Sequence, residues 1–373
     1  MYDFSAFALE GLNPGDLVAV AMSGGVDSSV AAALMTKLGY KVIGITLQLY
    51  DHGEMIEKKG ACCAGQDIYD AKTVADHLGF AHYVLDYESV FKQEVIEDFA
   101  DSYLKGETPI PCIRCNQKVK FKDLLQTSKD LGAKALVTGH YVQRLKPSTK
   151  KAQLHKAIDP TRDQSYFLFT TTQEQLDYLR FPLGGIAKTL TRELASYFGL
   201  QVSSKPDSQD ICFVPNGNYA SIVQKLRPGC LDEGEIIHVN GEILGRHQGI
   251  INYTIGQRKG LGVSYKEPLF VVKLDPKTKQ VIVGPKEALK VSTLFVKDVN
   301  WLDPFEKFLS PFEAEVKIRS THGPVAAIVQ ALDHSKARVI LKEPEYGVAY
   351  GQACVFYQDT RVLGGGWLSQ EEQ

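Results

Sequence analysis

The chain has 373 residues, enough for two or three domains of ordinary size, and its 44% hydrophobic and 23% charged content is that of a globular protein in water. A formal net charge of −2 excludes a globally basic nucleic-acid binder, so any nucleic-acid site has to be a local patch, and seven cysteines are too few for a disulfide scaffold. No apolar stretch approaches the ~20 residues of a membrane span, and the acidic start MYDFSAFALEGLNPGD lacks the basic and apolar regions of a secretory signal, which points to the cytoplasm.

In chain order, Leu17 to Met22 is an unbroken apolar run, the pattern of a buried parallel strand. It breaks into Ser23-Gly24-Gly25-Val26-Asp27-Ser28-Ser29 and resumes as Ala, Val, Leu and Met at helical density, which predicts strand, tight loop and helix. Adjacent glycines allow positive φ, so successive backbone N–H groups can curl round an anion, and the helix N-terminus adds more donors. No lysine lies between Ser23 and Thr36, which excludes the P-loop pattern, and the Rossmann G-x-G-x-x-G is absent too. The helix is expected to end near Gly39, followed by a strand over Lys41–Leu49, a helix over Gln66–Gly79 and a short strand over Ala81–Leu85. Helices are predicted over Glu88–Leu104 and Asn116–Leu131, with the Pro-rich GETPIPCIRC between them as a loop. Lys134–Val137 should be another strand, presenting Thr138-Gly139-His140-Tyr141 at the sheet's C-terminal edge.

Strands separated by helices imply a doubly wound parallel α/β sheet over residues 1–212. Past Cys212 there is little helical periodicity but many short strands with turn signals, such as the hairpin FVVKLDPKTKQVIVG and the segment ACVFYQDTRVLGGG. Two small β domains are expected there, 213–288 and 289–373.

Several stretches carry chemistry. Cys112 and Cys115 lie three apart at a helix start, where the dipole and Arg114 favour thiolates. A structural zinc site would need a second such pair, which the chain lacks. Asp207-Ser208-Gln209-Asp210-Ile211-Cys212-Phe213 sits at the junction of the two halves; alone, its cysteine reads equally well as a small core residue. Arg144, Lys146, Lys150, Lys151 and Lys156 have no acidic residue among them and precede Arg162-Asp163-Gln164-Ser165-Tyr166-Phe167; beside an anion-binding domain this run suits a phosphate backbone better than bare solvent. The glycines of Asn252–Gly262 read as turns, and His52 with Cys62-Cys63 does not read as a metal site.

SGGVDSS at Ser23–Ser29 resembles the signature of the PP-loop ATP pyrophosphatases, which transfer AMP to an oxygen and release pyrophosphate. With TPIPCIRCNQKVKF at Thr108–Phe121, TGHY at Thr138–Tyr141, DQSYFL at Asp163–Leu168, DSQDICF at Asp207–Phe213, TIGQRKGLG at Thr254–Gly262 and the terminal GQ, VFY and LGGG, the chain resembles the tRNA-specific 2-thiouridylase family over nearly its whole length. The resemblance implies ATP with Mg²⁺ at Ala21, Met22, Ser23, Gly24, Gly25, Val26, Asp27 and Ser28, with Leu47 and Gly139 near adenosine. It implies adenylation of the wobble uridine's C2 oxygen and sulfur transfer from a Cys212 persulfide, with Cys115 as partner thiol and a Cys115–Cys212 disulfide as product. Ile110, Pro111 and Cys112 would face the target base, and His140, Arg162, Asp163, Gln164, Arg319, Ser320 and Gln352 would contact tRNA. A cysteine desulfurase or persulfide-relay protein would donate sulfur. One departure stands out: Cys112 occupies a position where the family commonly has aspartate. That leaves open a second use of the thiols, a [4Fe–4S] cluster on Cys112, Cys115 and Cys212. Two rivals are an amide-forming PP-loop ligase, which needs no paired cysteines, and an inactive RNA-binding protein, against which Asp27, Cys115 and Cys212 speak.

Overall fold

The computed structural model describes residues 2–50, 63–147, 151–207, 211–214, 217 and 219–370. His52, Cys62, Lys150, Ser208, Gln209 and Asp210 lie outside the described residues, as does the side chain of Cys63. The chain divides into two compact units. One comprises Met1–Glu94, Arg114–Gln209 and Thr360–Val362, the other Val95–Ile113, Asp210–Asp359 and Leu363–Gln373.

The first unit is built on a five-stranded parallel sheet. Strand β1 (Leu17–Ala21) leads into helix α1 (Val26–Lys37), followed by β2 (Lys41–Gln48), α2 (Cys63–Leu78), β3 (Ala81–Asp86) and β4 (Leu136–Val137), with Leu179–Arg180 as the last strand. The order is β3-β2-β1-β4 and then Leu179–Arg180. Val18 pairs with Val42 on one side of β1, and Val20 with Val137 on the other. Sequence neighbours therefore run outward from β1 in opposite directions, and the crevice beyond the C-terminal ends of β1 and β4 is the topological switch point where such sheets bind ligands. Val18, Ala19 and Val20 are fully buried, as are Val30, Ala31, Ala32, Leu34 and Met35 of α1. A helix buried nearly all round needs small residues for close approach, which Ala31, Ala32 and Ala33 supply.

In the second unit, Phe270–Asp275, Gln280–Gly284, Gly234–His238 and Ile243–His247 form a four-stranded sheet. Its predicted hairpin is present: the Asp275 carboxylate accepts from the N–H groups of Lys277 and Thr278 at 3.0 and 3.1 Å, which folds the turn. The C-terminal strands, from Lys290–Trp301 to Arg361–Ser369, close into a barrel through the pairing of these two, for example Val296 with Leu368.

Two local expectations change and one is refined. The helix predicted from Asn116 starts at Pro111, inside the stretch expected to be a loop; proline suits a first helical position because its missing N–H is an orphan there. The region with little helical periodicity does contain a helix, Tyr219–Leu226, too short for a 3.6-residue period to register. It packs through Tyr219 against Tyr103, ring centroids 6.4 Å apart. Arg144 leaves the basic run, because its nearly buried guanidinium turns to Glu10 at 2.8 Å and donates to the Leu176 carbonyl at 2.8 Å.

Candidate nucleotide and thiol site

The loop after β1 is fixed by hydroxyls, one from β2 and the others its own. Thr46 donates to the Met22 carbonyl at 2.8 Å, Ser23 N–H donates to Ser28 Oγ at 3.2 Å, and Ser28 and Ser29 donate to the Gly25 carbonyl at 3.2 and 2.8 Å. Gly24 has φ +70°, and a Cβ there would stand 2.2 Å from the Asp67 carbonyl oxygen, so glycine is required twice over. No side chain caps α1 at Gly25. Its first-turn N–H groups have no acceptor within the helix and are left for an anion, so the turn fits a phosphate group. Gly139, beyond β4, approaches the same turn: a Cβ there would lie 2.7 Å from Ser28 N and 2.8 Å from Asp27 C.

Behind the loop lies a charged network. Lys188, 7% exposed at the start of the helix Lys188–Tyr197, donates to both oxygens of Asp27 at 2.6 and 2.8 Å and to Asp207 at 2.8 Å. The Tyr141 hydroxyl donates to Asp27 at 2.9 Å and lies 2.8 Å from the Thr191 hydroxyl; burial first, then the Asp27 charge, push its pKa well up. Asp207 also meets Arg162 and Arg192, each at 2.9 Å. Burial alone would raise its carboxyl, but the Lys188 hydrogen bond and the three cations hold it below the ordinary range. Lys205 clamps the loop from the other side, donating to the Gly24 carbonyl at 3.0 Å and to Asp67 at 2.7 Å.

The other expected nucleotide residue, Leu47, lies on β2 opposite Leu85 of β3. Of the thiols, Cys112 is exposed and Cys115 buried, three residues apart in the helical stretch that opens at Pro111; Cys212 is exposed in the second unit. Ile110 is half-buried and Pro111 buried. The loop before them is pinned within its unit, Thr108 N–H donating to the Tyr350 carbonyl and Gln352 to the Thr108 carbonyl, both at 2.8 Å. Among the described residues no group of three or more His, Cys, Asp or Glu side chains is arranged to hold a metal ion, so the iron–sulfur alternative has no support there.

The residues expected at tRNA divide by what they touch. Ser320 is exposed. Arg319 donates to the carbonyls of Tyr346, at 2.7 Å, and Gly347. Asp163 folds its own turn, accepting from Ala157 N–H at 3.0 Å and Ser165 N–H at 3.1 Å, and Gln164 exchanges hydrogen bonds with the Tyr141 backbone. His140 lies edge-on to Phe121 and Phe181 and bonds Thr138 Oγ1 at 2.8 Å; burial, then the Lys120 charge, hold its pKa down to about 3.

Sequence reasoning missed Lys188, Lys205 and the role of Tyr141. The one available signal was indirect: Asp27 opens a helix at an anion loop with no local cation to balance it, so a cation had to come from elsewhere in the chain.

Comparison with known proteins adds three domain matches: residues 16–216 to a tRNA methyl transferase HUP domain, 223–285 to a tRNA methyl transferase PRC-barrel domain, and 291–368 to an aminomethyltransferase beta-barrel domain. The tRNA-specific 2-thiouridylase MnmA of Rickettsia felis is 59% identical over 363 residues, covering 96% of this chain and 99% of that one. Its counterpart in Rickettsia rickettsii is 60% identical, with 95% and 97% covered, and that of Paracoccus denitrificans 59%, with 94% and 91% covered.

Proposed function

This chain belongs to the tRNA-specific 2-thiouridylase family MnmA, and from that premise we propose how its own residues perform the reaction. The protein is a tRNA-uridine 2-sulfurtransferase that uses ATP. The uracil C2 oxygen attacks the α-phosphorus of ATP and pyrophosphate leaves, held by the N–H groups of Gly24 to Ser28. Asp27 would hold a Mg²⁺ ion, which would supply charge neutralisation for the phosphates. This adenylation turns a poor leaving group into a good one. The terminal sulfur of a Cys212 persulfide then attacks C2, and AMP departs with the oxygen. Cys115 thiolate attacks Cys212 Sγ, breaking the S–S bond to release 2-thiouridine and forming a Cys115–Cys212 disulfide that an external thiol reduces. Ile110, Pro111 and Cys112 meet the target base, the anticodon's wobble uridine, after it leaves its stack. Ser320 and the exposed lysines Lys146 and Lys151 suit contacts to the tRNA backbone. The persulfide comes from a cysteine desulfurase or relay protein, in the cytoplasm where charged substrates of this kind reside.

The observation that carries this reading is the uncapped N-terminus of α1 behind a Gly24 that only glycine can occupy, at the switch point of the sheet. Nucleoside mass spectrometry of bulk tRNA from cells with and without the gene tests it. The wobble 2-thiouridine signal should vanish with the gene and return on complementation; its persistence would assign the chain another substrate.

A further inference from the structure

The anion loop lacks a lysine, yet a nearly buried lysine from another helix ends within hydrogen-bond distance of its first turn. An ammonium has three N–H donors. Two of those of Lys188 go to the two oxygens of Asp27 and the third to Asp207. Asp207 is bound in turn by Arg162 and Arg192. The Asp207 arm is thus a fixed anchor, while Asp27 is the residue at the cradle itself. An uncompensated carboxylate on the first turn of α1 would repel phosphate; paired with Lys188 it does not. A divalent cation accompanying a nucleotide competes for that carboxylate. Once Asp27 is engaged, Lys188 retains Asp207 and regains two donors beside the loop.

We propose that Lys188 is the phosphate-binding lysine of this loop, parked on Asp27 until a Mg²⁺-bound pyrophosphate group displaces it. The inference rests on reading the loop as a pyrophosphate cradle. Lys188 does the work that an in-loop lysine does in P-loop proteins, but from a distant helix and under control of the metal.

The test is binding, not turnover: calorimetric titration of the full chain with pyrophosphate, ATP and adenosine, each with Mg²⁺ and with EDTA. Lys188→Met should weaken Mg²⁺-pyrophosphate and Mg²⁺-ATP by at least ~10-fold, the loss expected for a charge-assisted contact, and leave adenosine unchanged. Lys188→Arg should recover part of that loss. Asp27→Asn should bind pyrophosphate in EDTA more tightly than the parent chain, because the lysine is released without metal, and Asp27→Asn with Lys188→Met should abolish the gain. Equal weakening of adenosine and pyrophosphate in Lys188→Met, or no gain in metal-free Asp27→Asn with a parent-like melting temperature, would overturn the proposal. A parent chain that binds neither ATP nor pyrophosphate would instead remove the cradle reading, and this inference with it.

Discussion

Gly139→Ala isolates the close approach between the ends of β4 and α1. The added methyl would sit 2.7 Å from Ser28 N, 2.8 Å from Asp27 C and 3.1 Å from Asp27 Cβ. Non-bonded carbon atoms rest at about 3.5–4.0 Å, so backbone on one side or the other has to yield by roughly 1 Å. Neither neighbour is the flexible end of a side chain, and overpacking of that kind costs about 1–3 kcal/mol. At roughly 2–4 °C per kcal/mol for a unit of this size, the melting temperature should drop by several degrees. The displaced element is the first turn of α1, so the dissociation constant for Mg²⁺-ATP should rise in parallel. Gly185→Ala is the control, since a Cβ there meets nothing within 4 Å. Differential scanning fluorimetry with an ATP titration reads both effects. If Gly139→Ala melts with the parent and binds ATP equally, the close approach of β4 to the loop does not shape the cradle.

Cys212→Ser should leave tRNA-dependent pyrophosphate release measurable while 2-thiouridine falls below detection, and Cys115→Ser should trap sulfur on Cys212 as a mixed species visible by intact-protein mass spectrometry. Iron-free Cys112→Ala should retain thiolation; activity tracking iron content across preparations would restore the cluster. Neutralising Lys146 and Lys151, both exposed, should flatten the salt dependence of tRNA binding by about 0.7–0.9 in slope for each phosphate left without its cation, with ATP affinity unchanged. His140 is neutral in the fold and held down to about 3, below its unfolded value of about 6.5. The unfolded chain therefore binds the extra proton between those limits, and this residue withdraws stability as pH falls through that window. His140→Gln should flatten acid destabilisation below pH ~6.5; an unchanged pH profile would show that burial does not set its charge.

The α/β half was legible because its signals are local. A run such as Leu17 to Met22 reads as a buried strand from its residues alone, and the two glycines announce the turn that follows. What stayed hidden depends on distant partners. Lys188 is 161 residues from Asp27, and nothing in KTLTRELASY distinguishes a lysine at a helix start facing solvent from one buried on a carboxylate. Arg144 misleads for the complementary reason: its charge counts as free only until Glu10, 134 residues away, neutralises it. Short elements also escape, Leu179–Arg180 and Tyr219–Leu226 being held by neighbours rather than by pattern.

In the reaction we propose, ATP cleavage at the α1 loop is coupled to sulfur delivery from Cys212. A single-turnover reaction of persulfide-loaded protein with unmodified tRNA and ATP, quenched and read by mass spectrometry, tests it most directly. One 2-thiouridine, one AMP, one pyrophosphate and one Cys115–Cys212 disulfide should form per persulfide consumed. Thiolation without pyrophosphate, or undiminished thiolation by Cys212→Ser, would contradict the account.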